Sequence, residues 1–339
     1  MIKVGVIGLG KMGISHCSIL GAHPDVDLIA VCDTSKFVLS AIKKYSSYNC
    51  FTDYKKMMDT IELDAVVIAT PTKYHYTMVR YALEKGLHVF CEKPFSLNFN
   101  EAEELNRIAI DKKLVNQVGY HNRFIGTFQA VKRLVENRII GEIYHVNGEA
   151  YGPVVLKPKG GTWRSSSKDG GGCLFDYASH VVNLIQYLVG NPERVAGTIL
   201  KIIYSKNVED AVYSSLFFNN GCTGQLSVNW SEETYRKMST SIEILGKQGK
   251  IISDSQECKI YLKYNPEDGN LVKGWNTLYI VDLTKPVWFN LRGEEYSAQI
   301  DYFINCIKNN NLNNLNSFAT ALETDKVIHM LIADAKVRN

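Results

Sequence analysis

The residues GVIGLGKMG at positions 5–13 place three glycines in the spacing GxGxxG, after an apolar run typical of a strand and before a segment, ISHCSILGA, that can form a helix. In this setting the first glycine permits a tight turn, the second lets the backbone approach a pyrophosphate, and the third allows close packing of helix on strand. The N–H groups at the helix N-terminus would hold the phosphates. We therefore predict a dinucleotide site formed by Gly8, Gly10, Lys11, Met12 and Gly13.

The hydrophobic pattern changes along the chain. Up to about residue 120, apolar runs predict strands near residues 3–7, 28–32, 65–69, 87–91 and 115–118, with helical segments between them. Continuously apolar strands joined by helices are typical of a parallel, doubly wound sheet covered on both faces. After about residue 140, longer alternating runs predict an antiparallel sheet, and the last 45 residues are again helical.

Length and composition limit the class of protein. At 339 residues the chain is longer than one core usually serves, and with 45% hydrophobic and 22% charged residues it is ordinary globular protein. A net charge of +3 gives no sign of nucleic-acid binding. We find no secretion signal and no apolar run long enough to span a membrane. Eight scattered cysteines predict free thiols in a reducing cytoplasm rather than disulfides or a metal site.

Asp33 strengthens the dinucleotide prediction. It ends the next predicted strand 20 residues after Gly13, where a carboxylate can accept hydrogen bonds from a ribose. Because it would repel a 2′-phosphate, NAD is favoured over NADP, although Lys36 lies close enough to blur that choice. Further on, ATPTKYH places Thr70 and Pro71 at a strand end beside the expected cofactor. His75 would line the cofactor, cap a helix or lie on the surface.

The motif CEKP, residues 91–94, follows another predicted strand and brings Glu92 and Lys93 close to the expected nicotinamide position. We expect Lys93 to act as a general acid or base and both residues to contact the cofactor. Pro94 cannot continue a central strand and, as a cis peptide, would aim the preceding side chain into the cleft. Alternatively, the two charges are solvated groups at a strand end.

A second group of polar residues lies in GGGCLFDYASH, residues 170–180, which is followed by apolar spacing typical of a helix ending at Gly190. Asp176 and His180 are four residues apart, hence on one helix face. A carboxylate can orient an imidazole at this distance, and histidine exchanges protons near neutral pH. The alternative is a hydrogen-bonded pair with a purely structural role.

Taken in order, GVIGLGKMG with Asp33, ATPTKYH, CEKP, VGYHNRF (residues 118–124) and GGGCLFDYASH resemble the Gfo/Idh/MocA oxidoreductases over nearly the whole chain. The resemblance implies a Rossmann domain, residues 1–121, and a C-terminal α/β domain, residues 122–339, with an open, mainly antiparallel sheet. The last helices are free to pack back on the first domain. It also implies that Lys93 is the catalytic lysine, that Asp176 and His180 share in proton transfer beside the nicotinamide, and that the sheet builds a homodimer or homotetramer.

The predicted activity is hydride transfer between NAD and a hydroxyl or keto carbon of a sugar, nucleotide sugar or cyclic polyol. An aromatic ring with polar donors suits a sugar, and several cations suit an anionic group such as a diphosphate. A neutral polyol and an ordinary solvated loop remain open as alternatives. The expected substrate residues are Tyr120, Asn122, Arg123, Tyr151, Trp163, Arg164, Asp176 and His180, with Lys157, Lys159 and Lys168 nearby.

Two other functions fit the same pattern. One is an NAD-dependent glycoside hydrolase that uses a transient oxidation, and the other is a nucleotide-sensing protein that keeps the fold without the chemistry. The presence of Lys93, Asp176 and His180 argues against the sensor. His16, His121 and His145 have no role assigned from the sequence.

Overall fold

The computed structural model describes residues 1–158, 163–267 and 269–338. Its strands are β1 (Ile2–Ile7), β2 (Val26–Cys32), β3 (Asn49–Phe51), β4 (Ala65–Ile68), β5 (His88–Cys91), β6 (Asn116–Val118), β7 (Ile143–Tyr151), β8 (Arg194–Lys201), β9 (Ala211–Phe217), β10 (Thr223–Asn229), β11 (Ser239–Gly246), β12 (Gly249–Ser253), β13 (Glu257–Leu262) and β14 (Gly274–Tyr279). Its α-helices are α1 (Lys11–Ala22), α2 (Lys36–Tyr45), α3 (Tyr54–Thr60), α4 (His75–Glu84), α5 (Phe99–Asp111), α6 (Gly126–Glu136), α7 (Ser179–Leu188), α8 (Ile280–Leu283), α9 (Glu294–Lys308) and α10 (Phe318–Arg338).

The chain divides into two compact units. Unit 1 consists of Met1–His121 and Pro286–Leu322, and unit 2 of Asn122–Lys285 and Glu323–Asn339. Helix α9 therefore belongs to unit 1 together with the first 121 residues, and the division falls within α10.

Unit 1 contains a six-stranded sheet in the order β3-β2-β1-β4-β5-β6, parallel at every pairing. The predicted doubly wound parallel sheet is confirmed. Along β4, Val66 and Ile68 pack in one hydrophobic cluster and Ala65 and Val67 in another, because both faces of the sheet are covered. The strand order reverses at β1 and β4, and ligands bind at such a reversal, outside the carboxyl ends of the strands.

Unit 2 contains an eight-stranded sheet in the order β14-β13-β12-β11-β7-β10-β9-β8. Its pairings are antiparallel except for β7 with β10, so the predicted open, mainly antiparallel sheet is also confirmed. Strand β7 alternates between buried and half-buried residues. At Gly148 a Cβ atom would lie 2.6 Å from Val181, so glycine permits helix α7 to pack closely on this sheet.

The segment expected to form one helix ending at Gly190 has a different form. Leu174–Ala178 is a π-helical turn, α7 then ends at Leu188, and Gly190 takes a φ of +120°. A π turn inserts one residue into the helical ladder, which periodicity does not reveal, and such turns are frequent at functional sites.

The described parts of the chain contain no helix that is both long and apolar enough to cross a membrane. All eight cysteines are free thiols, and burial makes most of them inert. Within the same residues, no three His, Cys, Asp or Glu side chains are grouped so that they could hold a metal ion.

Candidate active site

The glycine turn after β1 is shaped by close contacts at two of its glycines and by open space at the third. Gly8 has a φ of +89°, and a Cβ there would lie 2.7 Å from the Ala69 carbonyl oxygen. A Cβ at Gly13 would overlap the Gly8 carbonyl oxygen. A Cβ at Gly10, in contrast, would meet nothing within 4 Å. Gly10 therefore leaves room for a group to approach the backbone, as a pyrophosphate must.

Helix α1 begins at this open side of the turn. Its N-cap residue, Gly10, has no side chain with which to cap the helix. The dipole and the N–H groups of the first turn are therefore available to an anion. Lys11, the first helical residue, is exposed and adds a positive charge, and Met12 is half-buried beside it. These residues fit the phosphates of a dinucleotide.

Asp33 follows β2 and fixes the turn from the neighbouring strand. Its Oδ2 accepts the Leu9 N–H at 2.6 Å, and its Oδ1 accepts the Ser35 N–H at 2.7 Å. Each carboxylate oxygen has a second lone pair, so the group can still accept hydrogen bonds from a ribose. Lys36, the first residue of α2, is exposed.

The segment after β4 lies at the same edge of the sheet, since Ala69 donates its N–H to the Ile7 carbonyl at 2.8 Å. Pro71 is exposed at the start of a short 3₁₀ turn, whereas His75 is fully buried at the start of α4. His75 Nε2 lies 3.0 Å from the Thr70 carbonyl oxygen. Its other nitrogen, Nδ1, lies 3.0 Å from the carbonyl oxygen of Pro94. Both nitrogens of the His75 ring therefore contact backbone carbonyl oxygens of the protein.

Glu92 directly follows β5 and is 8% exposed. Its Oε1 lies 2.7 Å from Nε2 of the buried His16, and its Oε2 accepts the Lys93 N–H at 3.2 Å. Burial acts to raise the pKa of Glu92, but the hydrogen bond from His16, with the charges of His16, Lys93 and His121, lowers it overall. The Lys93–Pro94 peptide is cis, and Lys93 is half-buried.

A cluster from the end of unit 1 adjoins this acid. His121 stacks on Tyr296, with ring centroids 4.7 Å apart, and the Arg292 guanidinium lies 5.5 Å from the centroid of the Tyr296 ring. Although part of the His121 side chain reaches the surface, burial of its ring lowers its pKa to about 4, against the effect of Glu92, which raises it. Burial, followed by the charge of Glu92, raises the pKa of Tyr296 to about 12.

In unit 2, Asp176 and His180 are buried on the π turn and at the start of α7. Arg164 donates through Nε to Asp176 Oδ2 at 2.9 Å. The same guanidinium lies 4.6 Å from the centroid of the Trp163 ring. A buried carboxylate with a half-exposed arginine and a tryptophan face can recognise a sugar and an anionic substituent.

Glu209 fixes the start of the π turn. Its Oε1 accepts the Leu174 N–H at 2.8 Å, and its carbonyl accepts the Cys173 N–H at 2.9 Å. A Cβ at Gly172 would overlap the Glu209 carboxylate, so a glycine is needed there. Burial raises the pKa of Glu209, opposed by the Leu174 N–H.

The remaining expected substrate residues have other contacts. Tyr120 is buried in a hydrophobic cluster of unit 1. Asn122 is 4% exposed, and Arg123 donates to Asn183 Oδ1 on α7 at 2.7 Å. The Tyr151 hydroxyl lies 2.6 Å from Ser227 Oγ. Lys157 and Lys168 are exposed, and Lys159 lies outside the described residues.

Two family profiles match this chain in succession. The profile of an oxidoreductase family with an NAD-binding Rossmann fold matches residues 2–120, and that of the GFO/IDH/MocA C-terminal domain matches residues 128–252. The chain belongs to the Gfo/Idh/MocA family. Its members are oxidoreductases, so the resemblance inferred from the sequence motifs is confirmed, and NAD is the cofactor that this family's Rossmann fold binds.

Two curated relatives of this Gfo/Idh/MocA protein are named as dehydrogenases of sugars or polyols. D-glucoside 3-dehydrogenase of Escherichia coli K12 is 28% identical over 252 residues, covering 69% of this chain and 70% of that protein. Inositol 2-dehydrogenase of Rhizobium meliloti is 24% identical and covers 100% of this chain and 96% of its own. Neither relative is named as a hydrolase or a sensor, which leaves the dehydrogenase prediction favoured.

Solved structures share the fold over the full length of this family member. Levoglucosan dehydrogenase in complex with NADH matches with a TM-score of 0.89 at 22% identity, covering 100% of this chain and 98% of that one. The WlbA dehydrogenase from Bordetella pertussis, in complex with NADH and UDP-GlcNAcA, matches with a TM-score of 0.80 at 22% identity, covering 100% and 97%.

Sequence reasoning missed three residues near the Lys93 turn of unit 1, His16, Arg292 and Tyr296, and one beside the π turn of unit 2, Glu209. His16 lies 76 residues from its partner, and Arg292 and Tyr296 come from a segment about 200 residues after Lys93, so no local pattern connects them. A histidine on the predicted helix after the glycines was the one signal that the sequence offered.

Proposed function

We propose that this protein is a dehydrogenase that transfers hydride between NAD and a hydroxyl or keto carbon of a sugar, a nucleotide sugar or a cyclic polyol. The observation that supports the proposal most is the arrangement of residues at the carboxyl edge of the parallel sheet in unit 1. The open space at Gly10 and the Lys93 turn both lie there, following β1 and β5.

The residues at this edge fit NAD. The first turn of α1, from Lys11, would hold the pyrophosphate, and Asp33 would accept hydrogen bonds from the adenosine ribose. Thr70, Pro71 and Glu92 would line the nicotinamide half. When bound, NAD supplies the hydride chemistry.

Proton transfer is the part of the reaction that this chain's own side chains must supply. We assign it to Lys93 in unit 1 and to His180 in unit 2, with Asp176 stabilising the imidazolium of His180. General acid–base assistance of this kind contributes about 100- to 10,000-fold. Tyr120, Asn122, Arg123 and Tyr151 remain expected substrate residues, but the contacts of Arg123 with Asn183 suit a role in holding α7.

Trp163, Arg164 and Asp176 support an assignment of substrate class. A sugar ring can stack on the tryptophan, and a guanidinium binds a carboxylate or phosphate bidentately. Two relatives are named for a glucoside and for inositol, and neither name refers to an anionic group. In contrast, a neighbour of the same fold is described in complex with UDP-GlcNAcA, which is anionic. We favour an anionic sugar for this chain because of Arg164.

The proposal is tested by incubating purified protein with NAD and myo-inositol, levoglucosan, a methyl glucoside or UDP-GlcNAcA, and following NADH absorbance. We expect net NADH with at least one compound and loss of turnover in Lys93→Ala. Lys85→Ala is the control, because Lys85 is exposed and precedes β5, at the edge of the sheet opposite the Lys93 turn. Release of free sugar without net NADH would show a hydrolase instead, and an unchanged Lys93→Ala would contradict the role of Lys93.

We further propose that residues 1–121 act as the NAD-binding domain and residues 122–339, of which Pro286–Leu322 belongs to unit 1, as the substrate and assembly domain of a homodimer or homotetramer. Three exposed aromatic residues on the edge strand β14 and its neighbour β13, Tyr261, Trp275 and Tyr279, support an interface there. Light scattering of the purified protein tests this assembly. Eight free cysteines support a reducing, cytoplasmic location.

A further inference from the structure

The turn that carries Lys93 is contacted by two fully buried histidines. One is His16 on α1, and the other is His75 at the start of α4; both are 0% exposed. Their rings contact different atoms of Glu92–Phe95, the residues that surround Lys93.

His16 directs one nitrogen at this turn. Its Nε2 lies 2.7 Å from Glu92 Oε1, and its Nδ1 has no hydrogen-bond partner among the residues that the structure describes. The ring packs edge-on against Phe90, with centroids 5.2 Å apart. Because an ionised carboxylate only accepts hydrogen bonds, Nε2 must donate to Glu92.

Glu92 connects His16 with the backbone of Lys93. Its second oxygen, Oε2, accepts the Lys93 backbone N–H at 3.2 Å. Space around the carboxylate is small, since a Cβ at Gly119 would lie 3.0 Å from Oε2. The hydrogen bond from His16 therefore determines which way the carboxylate faces and whether it can hold the Lys93 backbone.

His75 contacts the turn from the other side. Its Nδ1 lies 3.0 Å from the Pro94 carbonyl oxygen and 3.2 Å from that of Phe95. Its Nε2 lies 3.0 Å from the Thr70 carbonyl oxygen. The ring thus connects the residues after β4 with the residues after Lys93.

Stability alone is a weak reason for a buried His–Glu pair. Removing two polar groups from water is unfavourable, and well-packed apolar side chains of the same volume often give a protein of equal stability. Catalytic groups, however, must be held to within roughly 0.5 Å by neighbours with fixed orientations. A pair that fixes orientation serves that need.

We propose that His16 and His75 are positioning residues that hold the Glu92–Phe95 turn, and with it Lys93, in the orientation required for proton transfer. This inference rests on the role of Lys93 proposed above. The ring nitrogen that faces the turn differs: Nε2 for His16 and Nδ1 for His75.

That difference allows a crossed test with amide side chains. The glutamine amide reaches the position of a histidine Nε2 and the asparagine amide that of Nδ1. His16→Gln should therefore keep the bond to Glu92, and His16→Asn should lose it. His75→Asn should keep the contact with Pro94 and Phe95, and His75→Gln should lose it while keeping Thr70.

Two measurements are made on each variant. Hydrogen exchange of the Lys93 amide, in the peptide covering residues 91–96, reports whether the turn is held, without need of a substrate. The rate of NADH formation with the compound oxidised in the panel above gives kcat, and NADH fluorescence gives the dissociation constant. In His16→Asn and His75→Gln, we expect the Lys93 amide hydrogen to exchange at least 10-fold faster. We also expect kcat to fall by about 10- to 100-fold, because misplacement of a catalytic group lowers the rate by amounts of that order. NADH affinity should change by less than about threefold.

His23 provides a matched control in the same unit. It is 4% exposed, its Nε2 lies 3.3 Å from Asp301 Oδ1, and it precedes β2, at the edge of the sheet opposite the Lys93 turn. His23→Asn and His23→Gln should leave the exchange of the Lys93 amide and kcat unchanged. If His16→Asn does not fold, Glu92→Gln tests the same bond from its other end.

The outcomes separate this inference from the proposed function. Equal exchange and equal kcat in Gln and Asn variants at both positions would overturn the positioning role. Turnover that survives Lys93→Ala would overturn the role of Lys93 in the proposed function, whereas the crossed pattern of Lys93 amide exchange would still show that the histidines hold the turn.

Discussion

The Arg164 guanidinium donates to Asp176 at 2.9 Å, although the arginine side chain is 43% exposed and the aspartate side chain only 6%. A half-exposed arginine loses little by exchanging one anionic partner for another, since solvent already screens it. The Asp176 carboxylate, in contrast, is buried and is therefore held in place more firmly than the arginine. We therefore expect Arg164 to be available to an anionic group of the substrate while Asp176 stays fixed.

Arg164→Ala should raise the KM for an anionic sugar by about 10-fold or more, because a charge-assisted hydrogen bond is worth on the order of 1.5–3 kcal/mol. The free energy of unfolding should fall by less than about 1 kcal/mol, given the exposure of the arginine. Steady-state kinetics and denaturant unfolding measure the two. Arg194→Ala is the control. Arg194 lies on strand β8, and its guanidinium carbon is 3.8 Å from the centroid of the Phe217 ring. A large loss of stability with an unchanged KM would mark the pair as structural.

Gly10→Ala and Gly13→Ala should have opposite consequences. A Cβ at Gly10 meets open space and its φ of −69° suits alanine, so the free energy of unfolding should stay within about 1 kcal/mol. The same methyl group occupies the space for a pyrophosphate, so the NADH dissociation constant should rise by about 10-fold or more. At Gly13 the methyl group overlaps the Gly8 carbonyl, and overpacking should cost about 1–3 kcal/mol. Unfolding curves and NADH fluorescence test the pair, and equal loss of stability in both variants would contradict it.

Asp33→Asn should reduce the preference for NAD over NADP. The variant removes the charge that repels a 2′-phosphate, and a repulsion of about 1.4 kcal/mol corresponds to a tenfold change. It also puts an amide N–H₂ against either the Leu9 or the Ser35 N–H, so binding of NAD itself should weaken. The ratio of kcat/KM for the two cofactors measures the effect. Asp27→Asn, at an exposed position of strand β2, which precedes Asp33, should leave that ratio unchanged.

His121 should make the protein less stable in mild acid. Its pKa is about 4 in the folded protein against 6.5 as its ordinary value. Below pH 6.5 the unfolded chain therefore takes up a proton that the folded protein does not, and the stability falls as the pH drops toward 4. Between pH 7 and pH 5 this amounts to about 2 kcal/mol. In His121→Phe, which keeps the stacking on Tyr296, the loss of unfolding free energy between these pH values should be smaller by that amount. An identical loss in both proteins would show that residue 121 does not titrate in this way.

Much of the fold could be predicted because its signals are local. Strands β1, β2, β4 and β5 of the parallel sheet are short, mainly apolar runs, and the alternation along β7 is visible in its nine residues. Strand β3, Asn49–Phe51, was missed because its three residues are too few to show a period. The π turn at Leu174–Ala178 was missed because an inserted residue leaves no mark on composition.

The candidate site was predictable only where one motif contains its own partners. The three glycines act on one another and on the strand beside them, so their spacing carried the information. The contacts of His75 with Pro94 and of His16 with Glu92 depend on which strands lie side by side in the sheet, and the sequence alone does not specify the resulting distances. Burial of both histidines likewise emerges only from tertiary packing.

The return of Pro286–Leu322 to unit 1 affects how the protein is made. Phe303 on α9 and Phe318 at the start of α10 are fully buried in the two clusters that cover the parallel sheet. At the usual rate of translation, the ribosome needs roughly 10 to 40 s to pass from residue 121 to residue 322. Throughout that interval the nascent nucleotide-binding sheet lacks part of its covering and exposes apolar side chains, so unit 1 is completed only after residue 322 has been synthesised.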